Sequence, residues 1–285
     1  MTKTNDWEVD VLQPVLAEEW ATAASSSGLS YAKHSVLALG LWSDRLPVAH
    51  DWVFHDAEAL GPVLAKLSDP NDVARTMTVA VGDDCAAYAH MLLWKIHELI
   101  SATVDSLNSH HLVGAAASAR SAVEATISLA MASYRQNQVF AGTDAKGVPG
   151  RLAELSERMD KLVWGRKGPN KVLEAINVLT LKDQLVAFAT DPETQEQLQS
   201  VYAELCDVVH PSASGHQLHW QPEVKVGDEG PILVPLRYGQ PTMWGVAVGE
   251  LCLWSIGWAS SWSVRAFDGI VAESARWAAI ASPPP

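Results

Sequence analysis

The chain has 285 residues, of which 48% are hydrophobic, and a formal net charge of −13. This length and composition support a substantial hydrophobic core and exclude a disordered chain. The negative charge excludes a general attraction to nucleic acids or anionic lipids, so binding to either would need a local basic patch.

The three cysteines, Cys85, Cys206 and Cys252, lie far apart and form no C-x-x-C pair. This spacing excludes a zinc ribbon and favours a reducing compartment over a disulfide scaffold. The polar N-terminus has no apolar signal core. We therefore expect a cytoplasmic protein, and no motif of the chain indicates a cofactor.

The elements taken in chain order predict a mainly α protein, a helical bundle in a single domain over residues 1–285. We expect short N-terminal helices in residues 1–68 and the core of the bundle in residues 69–215. Residues 216–285 are expected to hold a small β-hairpin and a Trp-rich C-terminal helix.

Capping residues mark where the central helices begin and end. Asp69 and Pro70 have the residue types of an N-cap and a first helical position, and they open a long helix that runs to about Ser109. The next helix starts around His111, and the two form an antiparallel pair. Its apolar residues recur at spacings of three and four: Leu112, Ala116, Ala119, Val123, Ile127, Ala130 and Tyr134.

A later helix opens at Asp191-Pro192 and ends at Pro211, because proline disfavours helical geometry in the residue before it. Residues 222–240 lack the helical spacing of the rest of the chain. Two runs of residues that favour strands flank a Gly-rich turn there, and this pattern predicts the β-hairpin. Residues 243–264 carry a single formal charge and are long enough to span a bilayer. Their tryptophans are spread along the segment rather than placed at its ends, so we expect a core helix and no membrane span.

Arg120 and Glu124 lie four residues apart, so they share one helix face beside the apolar stripe. Their order is the less favourable one for an exposed pair, and we expect a partly buried ion pair. On the later helix, Asp207 and His210 also share a face. The helix dipole near His210 favours a charged imidazole, which can act as an acid or base near neutral pH.

The segments Arg120-Ser-Ala-Val-Glu124-Ala and Tyr202-x-x-Leu-x-x-x-Val-His210-Pro-Ser resemble two helix motifs of HEPN-like helical proteins. They resemble more closely those of uncharacterised bacterial families grouped beside them. The resemblance covers roughly residues 70–215. It implies a helical bundle, a homodimer and a place in bacterial toxin–antitoxin or phage-defence systems.

Many HEPN domains are metal-independent ribonucleases with an Arg four to six residues before a His on one helix. No arginine stands at that spacing before His210, so Arg120 would supply the cation from another helix. In that hypothesis Arg120 stabilises charge, His210 is the acid or base, and Glu124 orients one of them. Tyr202 and Asp207 complete the candidate catalytic set. An inactive relative of the nucleases is the other outcome that the resemblance allows.

Two further interpretations remain open. The same polar residues can form a buried network that locks two helices together, which suits a non-catalytic binding or assembly protein. Alternatively, His216 and His219 can join Asp207 and His210 as ligands of zinc or iron in a metal-dependent enzyme.

Residues 146–171 form a locally basic stretch, with seven Lys and Arg against three acidic residues. Arg166, Lys167 and Lys171 are candidates for contact with an RNA backbone. A solvated helix face and turn is the alternative.

Overall fold

The structure is a computed structural model that describes residues 55, 57–141, 147–165, 176–177, 179–180, 182–183, 192–219 and 242–281. This part of the chain is mainly helical and contains no strand. The predicted N-terminal helices before residue 55 and the β-hairpin near residues 222–240 lie outside the described residues.

Seven helices account for most of the described residues. They are α1 (Ala57–Leu64), α2 (Pro70–Asn108), α3 (Leu112–Gln138), α4 (Val148–Val163), α5 (Pro192–Val209), α6 (Ala213–Gln217) and α7 (Met243–Ala281). The mainly α fold class predicted from the sequence is confirmed.

The chain divides into two compact units. Unit 1 includes the described residues of Lys95–Glu124 and Ala189–Ser261, and unit 2 includes those of Asp44–Trp94, Ala125–Phe188 and Trp262–Pro285. Helices α2, α3 and α7 contribute residues to both units. The first part of α2 shares unit 2 with the last part of α3, as an antiparallel pair requires.

Local capping fixes both ends of α2. Asp69 Oδ1 accepts the Asn71 N–H at 2.8 Å, which is the N-cap geometry predicted from the sequence. At the other end, the His111 N–H bonds to the Ser106 carbonyl at 2.8 Å and the His110 N–H to the Leu107 carbonyl at 3.0 Å. These two bonds form a Schellman motif, and His110 holds its left-handed position with φ of 56°.

The helix α7 begins at Met243, where the sequence predicted the start of the Trp-rich helix. Thr242 caps it, because Thr242 Oγ1 accepts the Gly245 N–H at 2.9 Å and donates to the Leu218 carbonyl at 3.3 Å. An added Cβ on Gly245 would stand 2.9 Å from Leu112 Cδ1, so the start of α7 packs closely on the start of α3. No described helix is long and apolar enough to cross a membrane.

The buried residues follow the predicted helical stripes. In α5 the stripe is Leu198, Val201, Leu205 and Val208, and all four are buried. In α2 it is Leu93, Ile96, Ile100, Val104 and Leu107, which are also buried. The period of 3.6 residues therefore identified the core faces of these helices correctly.

Candidate functional site

Arg120 and Glu124 form the partly buried ion pair that their spacing predicts. Arg120 Nε lies 3.3 Å from Glu124 Oε1, and the two side chains are 26% and 25% exposed. The neighbouring residues Ala119 and Val123 are fully buried, so the pair lies at the edge of the α3 core face. The helix thus places one cation and one carboxylate where water reaches only part of each group.

Tyr202 joins this pair from α5. Its hydroxyl donates to Glu124 Oε1 at 2.8 Å, and the residue is 7% exposed. Burial raises the pKa of Tyr202, and the hydrogen bond to Glu124 and the negative charge of Glu124 raise it further. Tyr202 is therefore a neutral hydrogen-bond donor at physiological pH. We call Arg120, Glu124 and Tyr202 the Arg120 cluster.

Arg120 depends on Glu124 for its charge compensation. Its Nε atom is buried and makes no hydrogen bond to any described residue, although it lies within ion-pair distance of Glu124 Oε1. The N–H is therefore misdirected for a hydrogen bond, while the Coulomb attraction remains. Removing Glu124 would leave a half-buried guanidinium without a described counter-charge.

His210 and Asp207 are exposed, and neither belongs to the Arg120 cluster. Within the described part of the chain, no hydrogen bond or ion pair reaches either side chain. Asp207 lies on the exposed face of α5, and His210 is the first residue beyond Val209, where α5 ends. Its backbone N–H still bonds to the Cys206 carbonyl at 2.9 Å, which continues the helical pattern by one step.

The turn after His210 is closed by contacts that the motif did not reveal. The Ser212 hydroxyl donates to the Asp207 carbonyl, and the Ser212 N–H bonds to the His210 carbonyl at 2.7 Å. An added Cβ on Gly215 would stand 2.7 Å from the Val208 carbonyl oxygen. Position 215 therefore accepts only glycine without a backbone shift, and α6 lies directly against the end of α5.

The four candidate metal ligands, Asp207, His210, His216 and His219, all belong to the described residues. No group of three or more His, Cys, Asp or Glu side chains in that part of the chain is placed to hold a metal ion. His216 is exposed on the short helix α6. The structure therefore does not bring these residues together as a ligand set.

A buried carboxylate in unit 2 was missed by sequence reasoning. Asp84 is 5% exposed, and its Oδ1 accepts the His55 backbone N–H at 2.8 Å and lies 3.3 Å from His55 Nδ1. Burial raises the pKa of Asp84 and the charge of Asp160 adds to the rise, while the contacts with His55 oppose it. The available signal was the position of Asp84 on the apolar face of α2, beside the buried Val81 and Cys85.

A second missed feature is a polar relay that joins three helices of unit 2. Gln136 Nε2 donates to Ser274 Oγ at 2.8 Å, and Ser274 Oγ donates to the Gly82 carbonyl at 2.8 Å. Gln136 is fully buried, and its Oε1 finds no hydrogen-bond partner among the described residues. Both side chains of the relay therefore donate a hydrogen bond, and Gln136 Oε1 accepts none from the described residues.

Arg166, Lys167 and Lys171, the residues predicted to contact RNA, lie outside the described residues. Comparison of this chain with known protein families, curated proteins and solved structures finds no match. The assignment of a function therefore depends on the geometry of the chain itself.

Proposed function

We propose that this chain is a HEPN-like helical protein of bacterial toxin or phage-defence systems that acts in the cytoplasm by binding or assembly, as an inactive relative of the nucleases. The observation that carries the proposal is the hydrogen bond from Tyr202 to Glu124 at 2.8 Å. This bond joins the carboxylate of Glu124, a candidate catalytic group, to a neutral, buried tyrosine on another helix. In this proposal the Arg120 cluster holds α3 to α5 within unit 1.

The lack of a hydrogen bond or ion pair between His210 and the Arg120 cluster among the described residues supports the same proposal. A nuclease of this type needs a cation near the acid or base, because the phosphate gains charge where the proton is transferred. Arg120 pairs with Glu124, while no described contact links His210 to either residue. The homodimer implied by the resemblance belongs to the proposal, and a sedimenting mass of 30.8 kDa, that of one chain, would count against it.

Ribonuclease activity is the second candidate, and the exposure of His210 favours it. An imidazole beyond the end of a helix is accessible to a large substrate and can exchange protons with water. In this alternative Arg166, Lys167 and Lys171 contact the RNA backbone and Arg120 supplies the cation.

Thermal melting tests the structural role of the Arg120 cluster. Tyr202→Phe removes a hydrogen bond to a charged acceptor, which is worth about 1.5–3 kcal/mol, and we expect a Tm lower by several degrees. Arg120→Ala should also lower Tm, because it leaves Glu124 without its cation. Arg75→Ala is the matched control, since Arg75 pairs with Asp72 at 3.6 Å while about half exposed and should change Tm little.

RNA cleavage separates the two candidates. The binding proposal expects the purified wild-type chain to leave RNA intact. If the wild type cleaves RNA, His210→Ala abolishes cleavage and His216→Ala does not, the proposal is wrong and the ribonuclease alternative replaces it. His216 serves as the control because it is another exposed histidine, six residues along the chain.

A further inference from the structure

A basic cavity lies in unit 2, where the last turn of α3 meets one face of α4. Three arginines line it, Arg135 from α3 and Arg151 and Arg158 from α4, together with Glu154, Val139 and Leu155. The α4 residues are spaced by three, four and seven positions, so they share one helix face. This cavity belongs to a different part of the chain from the Arg120 cluster and does not depend on the proposed function.

The charge of the cavity is opposite to that of the chain. Three arginines and one glutamate give the lining a formal charge of +2, in a chain whose net charge is −13. A lining with this formal charge attracts an anion. A phosphate monoester carries about −1.5 to −2 charges at neutral pH, which matches the lining.

The backbone orients one of the arginines. Arg151 Nε donates to the Val139 carbonyl at 2.8 Å, just beyond the last residue of α3. A guanidinium fixed in this way loses less conformational entropy when it binds a ligand. Val139 and Leu155 are 1% and 3% exposed, and their apolar surroundings strengthen electrostatic attraction to an anion.

The size of the cavity limits the group that it can enclose. Its volume is about 60 Å³, on a scale where one water molecule needs roughly 10–15 Å³. The cavity therefore has room for one small group such as a phosphate, and the remainder of a larger ligand would extend outside. Glu154 at the lining can accept a hydrogen bond from a hydroxyl or amino group of that remainder.

We propose that this cavity binds the phosphate group of a soluble phosphate monoester, with Arg135, Arg151 and Arg158 as its cationic ligands. The planar guanidinium fork matches the oxygens of a phosphate and can bond to two of them at once. A phosphodiester carries a single negative charge and offers fewer acceptor oxygens, so it should bind more weakly.

Isothermal titration with inorganic phosphate at about pH 8, where the anion is mostly doubly charged, tests the proposal. We expect saturable binding to the wild-type chain and at least about tenfold weaker binding to Arg158→Gln, because a hydrogen bond to a charged group is worth about 1.5–3 kcal/mol. Arg158 is the residue to change, since no hydrogen bond between described residues depends on it. Arg265→Gln is the matched control, because Arg265 is an exposed arginine of unit 2 that does not line the cavity.

Dimethyl phosphate, titrated in the same buffer, distinguishes the monoester from a diester such as a nucleic acid backbone. Binding of dimethyl phosphate as tight as that of inorganic phosphate overturns the proposal. So does the absence of phosphate binding to the wild type, or an equal loss in the Arg158 and Arg265 variants. Unchanged melting of Arg158→Gln without phosphate would show that its weaker binding is not a loss of fold.

Discussion

Glu124 Oε1 lies near two groups at once, the Arg120 guanidinium at 3.3 Å and the Tyr202 hydroxyl at 2.8 Å. A carboxylate oxygen with two such partners is held in one orientation by groups on two helices. The same residue types can serve catalysis or packing, so the sequence motif alone leaves both roles open. In the proposed function these partners serve packing.

The charge of Asp84 should make the stability of the chain depend on pH. Its pKa is raised, so the folded chain holds the proton more tightly than the unfolded chain, whose ordinary value is 3.8. The stabilisation by this proton is fully present below the unfolded pKa and is lost as pH rises through the folded pKa. We expect Asp84→Asn, which keeps an oxygen to accept the His55 N–H, to gain Tm relative to wild type as pH rises from 4 to 8.

Thermal melts over that pH range measure this effect. The control is Asp83→Asn, which removes an exposed carboxylate from the adjacent position of α2. Its Tm difference from wild type should change little with pH. A Tm difference between Asp84→Asn and wild type that stays constant with pH would show that the burial of Asp84 does not shift its pKa.

Among the secondary structure elements, the predictions that succeeded depend on neighbouring residues. Asp69 and Pro70 fix the start of α2, and Pro211 limits α5, because caps and prolines act within one turn. The contact of His55 with Asp84 joins residues 29 positions apart, and that of Gln136 with Ser274 joins residues 138 apart. No local pattern identifies such partners, since they are set by tertiary packing.

The turn between α2 and α3 offers a stabilising substitution. His110 has φ of 56°, a conformation that costs an L-residue about 1–2 kcal/mol and glycine almost nothing. We expect His110→Gly to raise the free energy of unfolding by about 0.5–1 kcal/mol, because the added chain entropy of glycine offsets part of the gain. Chemical denaturation measures the change.

His111→Gly is the control for that substitution. His111 is the next residue and is also exposed, but its φ is not positive. Glycine there adds only entropy to the unfolded chain and should destabilise slightly. An equal effect of the two substitutions would mean that the left-handed turn stores no strain.

At the scale of the whole molecule, the three long helices α2, α3 and α7 should determine how the chain unfolds. Because α2, α3 and α7 contribute residues to both units, the loss of either unit requires part of each long helix to melt. We therefore expect one cooperative unfolding transition, which also agrees with the single domain predicted from the sequence.

The free cysteines report on that transition. Cys252 in unit 1 and Cys85 in unit 2 are fully buried, and burial raises the pKa of Cys252 to about 12 and also raises the pKa of Cys85. Both should react with a thiol reagent at the same denaturant concentration, as followed by mass spectrometry. Cys206, which is partly exposed, should react in the folded chain. Separate midpoints for Cys85 and Cys252 would mean that the units unfold independently.

The relay from Gln136 through Ser274 to Gly82 has a direction, and this direction constrains how the chain can evolve. The Gly82 carbonyl can only accept, so Ser274 must donate to it and Gln136 must donate to Ser274. A mutation of Gln136 to methionine removes an unpaired buried oxygen and leaves Ser274 bonded to Gly82. A mutation of Ser274 to alanine strands the Gln136 amide and leaves the Gly82 carbonyl with only its bond inside α2. In a lineage that replaces this relay with apolar packing, position 136 should therefore change before position 274.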